Sequence, residues 1–224
     1  EDHAKPVVKS KTPRQHSSKP LPDHRDRHDE VLSPGDDCGR CDGHLKTLGK
    51  DVTEELEYVP GRFVVNRIIQ PRKACTCCEA IVQSPLPSRS IEPGRPGPGL
   101  LAHVLVSKYA DHLPLYRQSQ IYAHDGVDLD RSTMSDWVGR ATALLEPLAD
   151  LIGRMARQRR IHILRYGLVD VDNNTAGRAV KPVAIGRKNW MFAGSQGGGK
   201  AMAIAYTLIE TAKLNNVDPQ AWLT

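Results

Sequence analysis

The sequence predicts an α+β chain built from a small metal-held β module followed by a helical segment. Two observations carry that class. Cys38-Gly39-Arg40-Cys41 and Cys75-Thr76-Cys77-Cys78 bracket a β-branched stretch, and beyond residue 99 the apolar spacing changes from strand-like to helical. A third, the proline-rich run between them, marks a division.

Residues 1–34 carry Lys, Arg, His, Asp, Ser and Pro with almost no apolar content. Such a stretch buries too little surface to offset its ordering entropy, so it reads as a disordered tail. Lys5, Lys9, Lys11 and Arg14 in it could brush phosphates, but the favoured reading is a solvated tail. The chain opens on Glu1 rather than Met, and further residues are expected before it.

Residues 35–84 form the expected zinc module. Each C-x-x-C turn offers two thiolates, and four soft ligands suit tetrahedral Zn²⁺. The i, i+3 spacing favours Cys38, Cys41, Cys75 and Cys78 as the set, with Cys77 spare, and Gly43 frees the backbone to wrap the sulfurs. A redox C-x-x-C is usually single and lies beside a βαβ pattern, and neither applies here. Residues 55–59 and 62–69 read as two strands joined at Pro60-Gly61. All five cysteines lie between residues 38 and 78, as expected for a reducing cytoplasm that uses thiols for metal.

Residues 85–98, with Pro85, Pro87, Pro93, Pro96 and Pro98, read as an extended linker and domain boundary. In the segment 99–160, Leu100, Leu101, Val104, Leu105 and Tyr109 share one face of a first helix. A second starts at Pro114 and stops near Gly126, and a third opens at residues 130–132. Pro147 is expected to kink the third, with Leu148, Leu151 and Ile152 resuming its apolar face. Three helices with a glycine turn before the last read as helix-turn-helix-like. That geometry would present Arg131, Ser132, Thr133 and Ser135 to DNA, and the basic run with Arg157, Arg159 and Arg160 could track phosphates.

The residues 194–200, Gly-Ser-Gln-Gly-Gly-Gly-Lys, match a phosphate-cradling loop, an alternative reading as a nucleotide-binding protein. It departs at Ala201, where a P-loop needs Ser or Thr for Mg²⁺. The net charge of +5 suits a nucleic-acid partner without proving one, and no run is long enough to span a membrane.

The segments "DVTEELEYVP" (51–60), "LLAHVLVSKYADHLPLYRQSQIYAHDGVDLDRSTMSDWVG" (100–139), "DNNTAGRAVKPVAIGRKNWMFAGS" (172–195) and "LIETAKLNNVDPQAW" (208–222) resemble transposases of the insertion sequence 66 type. The resemblance implies a zinc-binding module, a DNA-binding helical segment and a ribonuclease H-like catalytic domain. It also implies an Asp-Asp-Glu triad holding two Mg²⁺ ions for strand transfer. Two departures matter. The helix near residues 151–155 runs almost directly into "RQRRIHILRYGLVDVDNN", so the strands bearing the first two aspartates are missing. The family pattern D-N-N-x-A-E-R has Gly177 at its glutamate.

Residues 161–224 are therefore read as a remnant of the catalytic domain, with its Mg²⁺ site lost and no catalytic residue assigned. Asp170 and Asp172 read as a strand end and a turn cap. The helix at residues 201–214 is expected to expose orphaned apolar surface. The function implied is a catalytically inactive transposase-family protein binding the terminal repeats of an insertion sequence, cytoplasmic and nucleoid-associated in a bacterium. Partners implied are a homo-oligomer or a full-length transposase, the latter supplying the missing acids in trans as an alternative.

Overall fold

The structure, a computed structural model, describes residues 20–91, 96–166 and 195–224, the side chains of 159–166 excepted. Its sheet is organised on one long hairpin, β2 (Leu45–Val59) and β3 (Arg62–Cys75), antiparallel from Val59↔Arg62 down to Leu45↔Cys75. Gly61 turns the hairpin at a φ of +93°, which L side chains rarely adopt. A register shift between Thr47 and Gly49 bends its lower end. The strands expected at 55–59 and 62–69 are the upper part of this longer ribbon.

On the other edge of β3 lies β1 (Arg27–Val31), parallel, with Arg27 opposite Val65 and Val31 opposite Ile69. This corrects the reading of residues 1–34 as a disordered tail: from residue 20 onward the chain is a strap along the sheet, while residues 1–19 lie outside the described residues. The composition misled because little apolar burial is involved. An edge strand offers unpaired N–H and C=O groups, and β1 occupies them. Acids of β1 and of the residue before it meet arginines of β3, Asp26 with Arg62 at 3.2 Å and Asp29 with Arg67 at 3.4 Å. The two-residue β4 (Ile81–Val82) pairs further down the same strand.

Extended backbone leads from β4 to α1 (Pro98–Tyr109), with residues 92–95 outside the described set. The junction is set by Glu57. One of its carboxylate oxygens accepts from the Tyr58 amide at 2.8 Å and from the Leu100 amide at 2.7 Å, capping the free amides of α1 from the sheet. Gly97 and Gly99 are glycines because a Cβ on either would run into that carboxylate. One apolar cluster then joins Leu56, Phe63 and Val65 of the sheet to Ile91 and to Leu100, Leu101, Val104, Leu105 and Tyr109 of α1. The segment 85–98 therefore does not separate two cores.

The helix α2 (Leu115–His124) buries Gln118 and Tyr122. Gln118 donates to the carbonyls of Leu113 (3.0 Å) and Val104 (3.4 Å) and accepts from the Tyr122 hydroxyl (3.1 Å). Gly126, at φ +71°, carries the chain out of α2 towards α3 (Arg131–Tyr166). α3 continues as one helix through Pro147. Its body-facing side includes Ile152, as expected, but not Leu148 or Leu151. Leu145, Ala149 and Ile152 pack on α4 (Gln196–Leu214), while Leu144, Leu148, Leu151 and Met155 are 58, 39, 45 and 53% exposed.

α4 is not orphaned. Ala205, Tyr206 and Ile209 enter the main cluster, and Ile204 and Leu208 pack with Ala149. A helix that completes a core loses the exposed surface expected of it. Its first turn is Gln196–Lys200 itself, N-capped by Ser195, whose hydroxyl accepts from the Gly198 amide at 3.0 Å. Lys200 is bonded to Glu146 of α3 at 2.6 Å. These residues are thus a helix start with an engaged lysine, not a loop cradling phosphate. The short α5 (Pro219–Leu223) closes on α1 through Gln220, which bonds His103 at 3.3 Å and the Gly99 carbonyl at 3.2 Å.

Candidate zinc centre and nucleic-acid interface

The hairpin geometry brings the two cysteine pairs together. Cys75 ends β3 opposite Leu45, so the turn after β3 lies beside the turn before β2. Each turn is tight and ends on a left-handed residue, Asp42 at φ +53° and Glu79 at φ +57°. The Cys41 and Asp42 amides donate to the Cys38 carbonyl at 3.3 and 2.9 Å, and the Glu79 amide to that of Cys75 at 3.2 Å.

The Sγ atoms of Cys38, Cys41, Cys75 and Cys78 all lie within 4.8 Å of one another. Cys38 and Cys78 are 3.6 Å apart, Cys41 and Cys75 3.4 Å. A tetrahedron with Zn–S bonds near ~2.3 Å has edges of about 3.8 Å, so the cage is of zinc size. The electrostatics differ from sulfur to sulfur: against a backbone hydrogen bond from Gly43, hydrogen bonds with the Cys75 and Cys78 sulfurs push the Cys41 thiol up to about 12, and the Cys78 thiol is raised as well. The amides of Cys78 and Cys77 point at the Cys75 sulfur, at 3.5 and 3.3 Å, and lower its pKa to about 6. Amides aimed at sulfur stabilise the thiolate, the form that binds metal.

Cys77 is exposed and outside the cage. Gly43 has a sharper role than backbone freedom. A Cβ there would sit 2.9 Å from Cys77 Cβ and 3.0 Å from the Cys75 sulfur, so a side chain would push into the site.

Two supporting residues escaped the sequence reading. Lys73 donates to the Gly35 carbonyl at 2.6 Å and to Asp36 at 2.7 Å, tying the strap to β3 just before Cys38. Lys73 holds the Asp36 carboxyl below the usual range, by hydrogen bond and by charge. The alternation of acids and bases in residues 23–37 was the available signal, since it mirrors the cations of β3.

Among the DNA-contact candidates, Arg131, Ser132 and Ser135 are exposed on the first turns of α3, Thr133 is half-buried and Arg157 is exposed. The side chains of Arg159 and Arg160 lie outside the described set, as do Asp170, Asp172 and Gly177 and the strand candidates around them. The approach to α3 is acidic, with Asp125, Asp128 and Asp130 before it and Asp136 bonded to Arg140 at 3.0 Å. Over residues 20–158 and 195–224 acidic side chains outnumber basic ones, so the basic excess of the chain resides in residues 1–19 and 159–194.

Residues 36–79 match the family model described as the zinc-finger binding domain of transposase IS66. Residues 93–163 and 153–201 match the one described as Transposase IS66 family. The chain belongs to the IS66 transposase family. The zinc-finger match coincides with the four-sulfur cage, and this family member is a zinc-binding, insertion-sequence protein.

Among its relatives are three uncharacterized proteins of Sinorhizobium fredii (strain NBRC 101917 / NGR234). The chain is 42% identical to y4jD over 144 residues, 63% of this chain and 28% of y4jD. It is 44% identical to y4hP over 146 residues, 65% of this chain and 26% of y4hP. It is 33% identical to y4aQ over 105 residues, 45% of this chain and 56% of y4aQ. The matched region thus spans about a quarter of the length of y4jD and y4hP. No solved structure matches the chain. Among the described residues, no helix is long and apolar enough to cross a membrane.

Proposed function

We propose that this IS66-family chain binds the terminal repeats of an insertion sequence and has no strand-transfer chemistry of its own. The observation that carries the reading is Gly177 at the glutamate of the family's D-N-N-x-A-E-R pattern, in a chain that keeps the zinc-finger domain. A two-metal site needs its carboxylates to hold both ions, and loss of one disables the geometry. The two transposase matches meet at residues 153–163, which supports a join between segments separate in longer relatives.

In this reading residues 35–84 with Cys38, Cys41, Cys75 and Cys78 hold structural Zn²⁺. The helical segment 99–160 is the helix-turn-helix-like reader, with the exposed turn of Arg131, Ser132 and Ser135 facing DNA. Residues 161–224 are what remains of the ribonuclease H-like domain. Purified protein mixed with labelled terminal-repeat DNA and Mg²⁺ or Mn²⁺ should give a retarded complex that zinc chelation abolishes, and no cleaved strand. Metal-dependent nicking or strand joining would overturn the reading.

A second reading, a subunit of a mixed oligomer with a full-length transposase supplying acids in trans, is favoured by one feature of α3. Trp137, Ala141, Leu144, Leu148, Leu151 and Met155 follow a 4-3-4-3-4 spacing, the seam of paired helices. Trp137 and Ala141 are buried, and the other four continue the same line into solvent. Co-expression with a tagged longer relative should retain this chain, and Leu148→Glu should release it. Failure of the unaltered chain to associate counts against this reading alone.

A further inference from the structure

We infer that the strap, residues 20–37, couples the cysteine cage to the DNA-reading turn, with Leu21 and His24 as positioning residues for that turn. The inference rests on the DNA-binding reading above and deepens it, by naming how the zinc end of the sheet reaches a reader at its other end.

The strap is anchored at both ends. At the upper end, Leu21 packs against the helical core cluster, and the Arg25 guanidinium stands over Phe63, 6.0 Å from the ring centre. The His24 ring lies on Gly126, close enough that a Cβ there would meet it at 2.7 Å. Gly126, at φ +71°, opens the turn that leads to Arg131, so what holds it also places the start of α3. At the lower end, the Leu45 amide donates to the Asp36 carbonyl at 2.8 Å. Lys73 bonds the Gly35 carbonyl at 2.6 Å and the Asp36 carboxylate at 2.7 Å. Cys38 follows, a buried cage ligand whose amide donates to the Gly43 carbonyl at 2.9 Å.

Between these anchors the strap has little of its own to hold it. β1 is five residues long, an edge strand whose Val31 is 58% exposed. The ion pairs of Asp26 and Asp29 with β3 are partly solvated, and such pairs contribute little. A short edge strand with so little apolar burial does not offset its own ordering entropy. Its order therefore depends on both anchors. Opening the cage frees Cys38 and the lower anchor, the strand frays upward, and Leu21 and His24 lose their hold on the turn before α3. Coupling between two binding sites is reciprocal, so DNA held by the reader favours a closed cage.

The test compares the full chain with a strap variant, Leu21→Ser with His24→Ala, and with Leu48→Ser, an exposed site on the opposite edge strand. Zinc content and circular dichroism report that each is folded. Amide exchange is followed with zinc bound and after chelation. In the full chain and in Leu48→Ser, chelation should raise exchange at residues 123–131 while α1 and α4 stay protected. In the strap variant exchange at 123–131 should be high with zinc bound and unchanged by chelation. The second readout is a chelator titration with and without duplex DNA carrying the terminal repeats. DNA should tighten zinc retention at least about fivefold in the full chain and in Leu48→Ser, and less than about twofold in the strap variant. Unchanged exchange at 123–131 on chelation of the full chain overturns the link. So does a strap variant that keeps the full chain's coupling, the result expected where the cage itself touches DNA. A full chain that binds no DNA overturns the DNA-binding reading and the linkage to DNA, while the exchange result still decides whether cage and turn are linked.

Discussion

The two ends of the β2–β3 hairpin are held in different ways. At the turn end, Leu56, Phe63 and Val65 sink into a cluster shared with α1, α2, α3 and α4. At the cysteine end the buried apolar group is Cys38, Leu45 and Cys75, with Ala80 and Val82 packed against it. The first end has a core, and the second has a ligand cage where a core would be. A unit with so few buried side chains needs a metal or other staple to persist. The same strand pair thus carries one end that folds by burial and one that folds by coordination.

The largest effect that would sharpen this contrast is at the cage. Cys75→Ser should abolish binding of about one zinc per chain, measured by atomic absorption. Hydrogen exchange should rise sharply at residues 36–47 and 73–82 while amides of α1 and α4 stay protected. Uniform loss of protection would break the contrast.

The complementary change is Ile209→Ala in α4, fully buried in the helical core. It should cost roughly 2–5 kcal/mol by denaturant titration with zinc content unchanged. Smaller is the cost at the joint between sheet and helices. The Cβ of Gly99→Ala would meet the Glu57 carboxylate at 2.5 Å and the Tyr58 carbonyl at 2.9 Å. The chain should lose about 1–3 kcal/mol, and Gly49→Ala, where a Cβ meets open space, should not.

The smallest is a pH effect confined to the helical end. His103 stacks on Tyr58 at 3.7 Å between ring centres and bonds Gln220. Burial lowers its pKa, against the opposing hydrogen bond that its Nδ1 donates to the Gln220 side-chain oxygen. The unfolded chain therefore takes up the proton first. This contribution is complete above the unfolded value near ~6.5 and is lost as pH falls from there through the lowered value. Denaturation midpoints at pH 7.5 and 5.5 should differ more for the full chain than for His103→Gln, by less than about 1 kcal/mol once solvent screening is allowed for. An identical pH response would remove His103 from the account.

Much of the local structure was legible. Pro60-Gly61 marks the hairpin turn, Leu100 to Tyr109 mark the buried face of α1, and Gly126 the exit from α2, because each rests on a local backbone or periodicity rule. The failures share a cause. β1 was missed because its partner is a strand more than thirty residues away, and its stability lies in edge hydrogen bonds and ion pairs. The apolar face of α3 was drawn too wide: Ile152 packs inward as expected, but Leu148 and Leu151 have the same periodic claim to burial and are exposed. Only the position of α4 decides between them.

By itself the sequence determined the ligand types and spacing of the cysteine pairs, the family resemblance and the glycine at the family's glutamate position. These are local identities, readable without coordinates. The tertiary structure decided that the two cysteine turns lie side by side at the foot of the hairpin, and that α4 completes the core instead of trailing from it. It also decided that the strap ties the cysteine end of the sheet to the turn before α3. Those are choices among partners distant along the chain, set by which surfaces meet and how charges pair across them, and no local pattern fixes them in advance.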